Sequence, residues 1–133
     1  SDYLAPSSIV DLREAQDIAI DGCVYVLLKD GIILKFRQGL RVPFEVTGID
    51  RPLKAPKTIY TSVETSSVYV VDSGNRRIVQ LDKDGRFLYQ LLPQEGEGLF
   101  ENLESIYVDE ASKKLYILSG NKLYMAALPQ EGR

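Results

Sequence analysis

A short apolar segment with tyrosine in second place occurs three times in this chain: Val24-Tyr25-Val26-Leu27, Val68-Tyr69-Val70-Val71 and Leu115-Tyr116-Ile117-Leu118, 44 and 47 residues apart. Each copy follows another short apolar run, at 17–21, 58–62 and 105–109, and precedes a third, at 33–36, 78–81 and 123–126. The third runs are spaced 45 residues apart both times. Runs of four or five residues bounded by turn residues suit strands, and nowhere does a 3.6-residue apolar period persist over ten residues. A self-similar unit of about 45 residues built only of short strands cannot bury both its faces alone and must stack on copies of itself. That is the pattern of a propeller blade. The expected fold is therefore all-β: a partial β-propeller of about three four-stranded antiparallel blades, half of a six-bladed ring. The 133 residues form one domain, with blades at about 9–50, 51–97 and 98–128.

The joints agree with this reading. Asp21-Gly22, Asp30-Gly31 and Asp84-Gly85 separate consecutive runs, and Asp-Gly suits the positive φ of a tight hairpin. A fourth strand is expected at 42–46 in the first copy and 86–91 in the second, with Pro43 suiting an outermost edge because it has no N–H to donate. The third copy shows no fourth strand. Residues 2–5 precede the first inner strand by about the distance that Glu45-Val46 precedes Ile59, so residues 1–5 read as a stray outer strand. A short helical turn is expected within 11–18.

Absent residue types narrow the chemistry. There is no histidine, which removes His-based triads, His metal sites and the commonest general base. The single cysteine, Cys23, sits in an apolar run and is expected in the core. No apolar run approaches the ~20 residues that span a bilayer, so no membrane contact is expected of this segment, and the sequence names no compartment. The net charge of −3 argues against nucleic acid as partner. The charges are uneven: 29–57 carries seven basic and three acidic residues, whereas 92–112 carries six acidic residues and no basic one.

The stretch 69–88, YVVDSGNRRIVQLDKDGRFL, resembles the NHL repeat, whose blades carry Tyr-Val-x-Asp-x-x-Asn-x-Arg-Ile-x-x-x-Asp-x-x-Gly-x-Phe; Tyr69, Val70, Asp72, Asn75, Arg77, Ile78, Asp82, Gly85 and Phe87 match it. The other copies match only in apolar pattern and spacing. The resemblance implies a non-enzymatic interaction module presenting loops to a protein or carbohydrate partner, with no cofactor, no metal and no catalytic residue. It also implies that Asp72 and an arginine fix the hairpin. The binding residues expected on that basis are Arg51, Lys54, Asn75, Arg76 and Arg77 in the loops, with Tyr60 and Tyr107 lining the channel. Tyr25, Tyr69 and Tyr116 are expected to pack blade on blade. Two alternatives stand beside this reading. One is a six-bladed lactonase- or lyase-type enzyme with a channel metal, for which only Asp17, Asp21, Glu104 and Asp109 offer inner-strand carboxylates. The other is a C-terminal, extracytoplasmic part of a larger bacterial envelope or signalling protein. Closure of the ring is expected through a homodimer, residues 2–5 pairing beside 123–126 of a second copy and the basic stretch lying near the partner's acidic one.

Overall fold

The computed structural model describes residues 13–93 and 98–129. Among these residues eleven strands form three antiparallel sheets. The first contains β1 (Ala15–Ile20), β2 (Val24–Leu28), β3 (Ile33–Arg37) and β4 (Leu40–Val42), paired in chain order. The second contains β5 (Thr58–Tyr60), β6 (Ser67–Asp72), β7 (Arg77–Asp82) and β8 (Phe87–Leu91), again in chain order. The third has three strands, β9 (Leu103–Asp109), β10 (Lys114–Ser119) and β11 (Lys122–Ala127). The first strands of the sheets are neighbours, β1 against β5 and β5 against β9, so the sheets fan outward from a shared inner edge.

The repeat is exact at the level of register. Tyr25, Tyr69 and Tyr116 pair with Lys35, Gln80 and Met125 on the third strand of their own sheets. On the first strand their partners are Ala19, Tyr60 and Tyr107. Side chains alternate across each sheet, so every blade has one face toward the preceding blade and one toward the following blade. Two cores result. Ala19, Tyr25, Leu27 and Ile33 meet Ile59, Val68, Val70, Val79 and Leu81 between the first and second blades. Tyr69, Val71 and Ile78 meet Ile106, Val108, Leu115 and Ile117 between the second and third. The middle blade is thus covered on both sides, and all six residues of β6 are buried. This explains its unbroken apolar run, where a half-exposed strand would alternate. Burying side chains of this size contributes about 1.5–3 kcal/mol each.

Three details depart from expectation. The fourth strand of the first blade is Leu40–Val42 rather than 42–46. Pro43 ends it, and the chain then crosses to the next blade, where Thr47 N donates to Gly85 O (3.1 Å) and Phe87 N to Thr47 O (2.9 Å). Phe44 and Val46 face inward against the first core. The helical turn expected within 11–18 is not formed in its described part, because Ala15 begins a strand; a short 3-10 turn lies instead at Ser73–Asn75. Cys23 is half-buried against the first core rather than within it. The expected outer strand at 1–5 lies outside the described residues. No helix among the described residues is long and apolar enough to cross a membrane.

Candidate functional site

The segment 43–57 joins the first two blades without a continuous ladder, so its backbone groups need other partners. The β6–β7 turn supplies them. Asp72, fully buried, accepts from Lys54 N (2.7 Å) with one carboxylate oxygen, and from Asn75 Nδ2 and Arg77 Nε (2.8 Å each) with the other. Arg77, also fully buried, donates onward to Asp50 Oδ1 (2.8 Å), Gln90 Oε1 (3.1 Å) and Arg51 O (2.7 Å). Asn75 Nδ2 also reaches Pro52 O (2.9 Å), and Gly74 N donates to Lys54 O (2.8 Å). Burial alone would lower the Arg77 pKa, but Asp72 and Asp50 overcome this and raise it, so its charge is fixed. The Arg77 hydrogen bond in turn holds the Asp50 carboxyl below its usual range.

Five expected binding residues therefore divide. Asn75 and Arg77 are internal ties with little capacity left for a ligand. Arg51 and Lys54 are held through their backbone, and the Arg51 side chain pairs loosely with Asp50 (3.5 Å) on the surface. Arg76 alone projects from the turn. It pairs with Glu101 (2.7 Å), both about half exposed, and lies over the Phe100 ring (5.2 Å). That contact lowers the Glu101 pKa and ties the β6–β7 turn to the segment entering the third blade.

Inside this rim the three inner strands begin. Gln16 and Asp17, Lys57 and Thr58, and Glu104 and Ser105 occupy the same two positions of successive repeats, and together they line a polar cavity of about 510 Å³. Asp17 Oδ2 accepts from Ile59 N (3.0 Å), binding the first inner strand to the second. The cavity thus gathers two carboxylates, an ammonium, two hydroxyls and an amide. Farther along β5 and β9 the Tyr60 and Tyr107 rings meet edge to face (5.7 Å), and Tyr107 lies 6.3 Å from Tyr116; neither Tyr60 nor Tyr107 lines this cavity. Tyr107 is largely exposed, while Tyr60 is partly buried against the second core. Among the described residues, no group of three or more Asp, Glu or Cys side chains is placed to hold a metal ion.

The opposite ends of the strands carry ties that the motif did not announce. Glu110 accepts from Ser66 N (2.8 Å) and Ser66 Oγ (3.1 Å) with one oxygen, and from the Tyr69 hydroxyl (2.7 Å) with the other. Asp21 accepts from the Tyr25 hydroxyl (3.3 Å) and pairs with Lys83. Burial pushes the Asp21 pKa up, but the Lys83 hydrogen bond and its companions outweigh this and leave it lowered. Burial and Glu110 drive the Tyr69 pKa far up, and burial and Asp21 do the same for Tyr25. The turn at 82–85 is an Asx-type turn, Asp82 Oδ1 accepting from Asp84 N and Arg86 N (2.9 Å each).

No family model matches the chain, and no curated protein is detectably similar to it in sequence. Solved structures do resemble it. It superimposes on KlHsv2 with loop 6CD replaced by a Gly-Ser linker (TM-score 0.60, 8% identity), covering 88% of this chain and 36% of that one. It also matches a gluconolactonase from Xanthomonas campestris (TM-score 0.56, 20% identity, 91% and 40%). A streptogramin B lyase structure is a more distant match (TM-score 0.47, 22% identity, 90% and 42%). The chain is a partial β-propeller. It spans roughly two-fifths of the length of these solved chains, and at such identities the likeness concerns the fold alone. The comparison nonetheless corrects the expectation that the chain is not an enzyme. Propellers that superimpose on it include a gluconolactonase, so the architecture gives no ground for excluding catalysis.

Proposed function

We propose that this propeller segment binds a small polyhydroxylated molecule, of the carbohydrate class, at the channel mouth. The observation that carries the proposal is the convergence of repeat-equivalent positions on one polar cavity: Gln16 and Asp17, Lys57 and Thr58, Glu104 and Ser105. A sugar or sugar acid presents alternating donors and acceptors that such a mixed set can satisfy, and Ile59, Leu103 and Ile106, which also line the cavity, offer apolar surface for a ring face. The likeness of 69–88 to an NHL blade supports a scaffold role for Asp72, Asn75 and Arg77, which hold the rim while the inner strands hold the ligand. Titration calorimetry with a panel of aldoses, aldonic acids and their lactones tests this. Lys57→Met and Glu104→Gln are each expected to weaken binding about tenfold, the loss of one hydrogen bond to a charged group. Absence of heat with every panel member would contradict it.

A second reading rests on the gluconolactonase likeness. On this reading Glu104, exposed at the start of β9, is the base that takes a proton from water attacking a bound lactone. Hydrolysis of a sugar lactone that is abolished by Glu104→Gln, with lactone binding retained, would favour this reading over binding alone.

A further inference from the structure

We propose that a cavity between the second and third blades, at the strand ends opposite the channel mouth, binds a free α-amino acid with an aliphatic side chain. It shares no lining residue with the channel mouth, and the inference does not rest on the ligand bound there. The two interfaces between blades start from one plan. A buried tyrosine, Tyr25 or Tyr69, sends its hydroxyl to a carboxylate, Asp21 (3.3 Å) or Glu110 (2.7 Å). At the first interface that charge is neutralised: Lys83 of the second blade pairs with Asp21. Lys35 reaches Lys83 O (2.8 Å) and lies over the Tyr25 ring (5.2 Å). The second interface does not repeat this. Gln80 stands at the register position of Lys35, opposite the tyrosine. No cation among the described residues pairs with Glu110. Here lies a cavity of about 280 Å³, close to the lower end of the range for small-molecule sites.

The lining divides by chemistry. Ser66, Ser67, Gln80, Glu110 and Lys113 supply polar groups, and Leu88, Leu128 and Pro129 supply an apolar wall. Glu110 and Lys113 stand at the two ends of the β9–β10 turn, where Lys113 N donates to Glu110 O (3.1 Å), yet their side chains form no ion pair with each other. A carboxylate and an ammonium kept apart in one cavity are complemented by a ligand carrying both opposite charges. Gln80 adds a further demand. Its Nε2 donates to Ser67 Oγ (2.9 Å), while its Oε1 is buried and accepts from no described residue. Turning the amide over moves the deficit to the nitrogen and does not remove it. Buried polar groups without a partner are uncommon because each is costly. Consecutive residues, Ser66 and Ser67, hold the Glu110 carboxylate and the Gln80 amide, so a ligand ammonium that pairs with the first has a second acceptor beside it. The ligand carboxylate then meets Lys113, and its aliphatic side chain covers the wall of Leu88, Leu128 and Pro129. A neutral sugar would leave both charges unmatched and that wall wet.

Titration calorimetry of the full chain with L-leucine, isocaproate and isoamylamine tests the assignment, the last two being leucine without its ammonium and without its carboxylate. L-leucine is expected to bind saturably, and each truncated analogue about tenfold more weakly. Glu110→Gln is expected to weaken leucine and isoamylamine about tenfold and to leave isocaproate unchanged. Lys113→Gln is expected to weaken leucine and isocaproate and to leave isoamylamine unchanged. Lys113 is exposed, so its variant keeps the test decisive should Glu110→Gln fail to fold. No saturable heat from leucine at millimolar concentration, equal affinity for leucine and either analogue, or leucine binding indifferent to both substitutions would each overturn the proposal. Leucine binding abolished by Lys57→Met would assign the ligand to the channel mouth and overturn it equally.

Discussion

Asp72 and Arg77 are charged, fully buried and joined to each other at 2.8 Å, and between them they anchor the segment that links two blades. Removing one partner of such a pair strands the other without solvent. Asp72→Ala is therefore expected to cost about 3–5 kcal/mol, read as a lower urea midpoint. An unchanged midpoint with a lost ligand would assign Asp72 to recognition instead. The carboxylates also set the acid limit of stability. Asp21 and Asp82 have folded pKa values below their ordinary ones, so their contribution is present above about pH 4 and disappears as pH falls through the lowered values. At the other extreme Tyr25 and Tyr69 are raised, so their contribution holds below about pH 10 and declines above it. With no histidine to titrate between, the thermal midpoint is expected to be flat from about pH 5 to 9 and to fall on both sides. A step near pH 6.5 would be inconsistent with this. The Asp72 clip was legible in the sequence because its motif is local. Glu110, which joins Ser66 and Tyr69 across 44 and 41 residues, belongs to no local pattern and was not.

At the scale of elements, the hairpins followed from short apolar runs and Asp-Gly turns, and the inner three strands of every blade lie where the runs predict. The fourth strand of the first blade was misplaced because the apolar residues Phe44 and Val46 look like strand yet serve the core from an irregular crossing, while the ladder residues Leu40–Val42 are only three, are not buried and are interrupted by Arg41. That crossing depends on Gly85, with φ of +104° and a position where a Cβ would lie 2.2 Å from Glu45 O. Gly85→Ala must strain the turn and push the crossing segment off the second blade. A loss of order 1–3 kcal/mol is expected, with faster hydrogen exchange at Thr47 and Phe87. Protection unchanged at both amides would show that the crossing is held by other contacts. The channel mouth was readable in principle: its residues fall at matching repeat positions. The sequence reading went instead to Arg51, Lys54, Asn75, Arg76, Arg77, Tyr60 and Tyr107, of which Asn75 and Arg77 tie the scaffold and Arg76 the rim.

For the whole molecule, the 45-residue period was sufficient to give the architecture, because a propeller's interfaces repeat with its blades and each face can be checked against its counterpart. The same property requires the three sheets to fan from one inner edge, with Tyr107, Leu118, Leu123 and Met125 of the third blade facing water. Small-angle X-ray scattering on the full chain in solution tests this most directly. The account predicts the profile of a flat wedge, wider than it is thick, with three sheets splayed from one edge. The profile of a compact sphere, or of a chain expanded without a folded core, would contradict it.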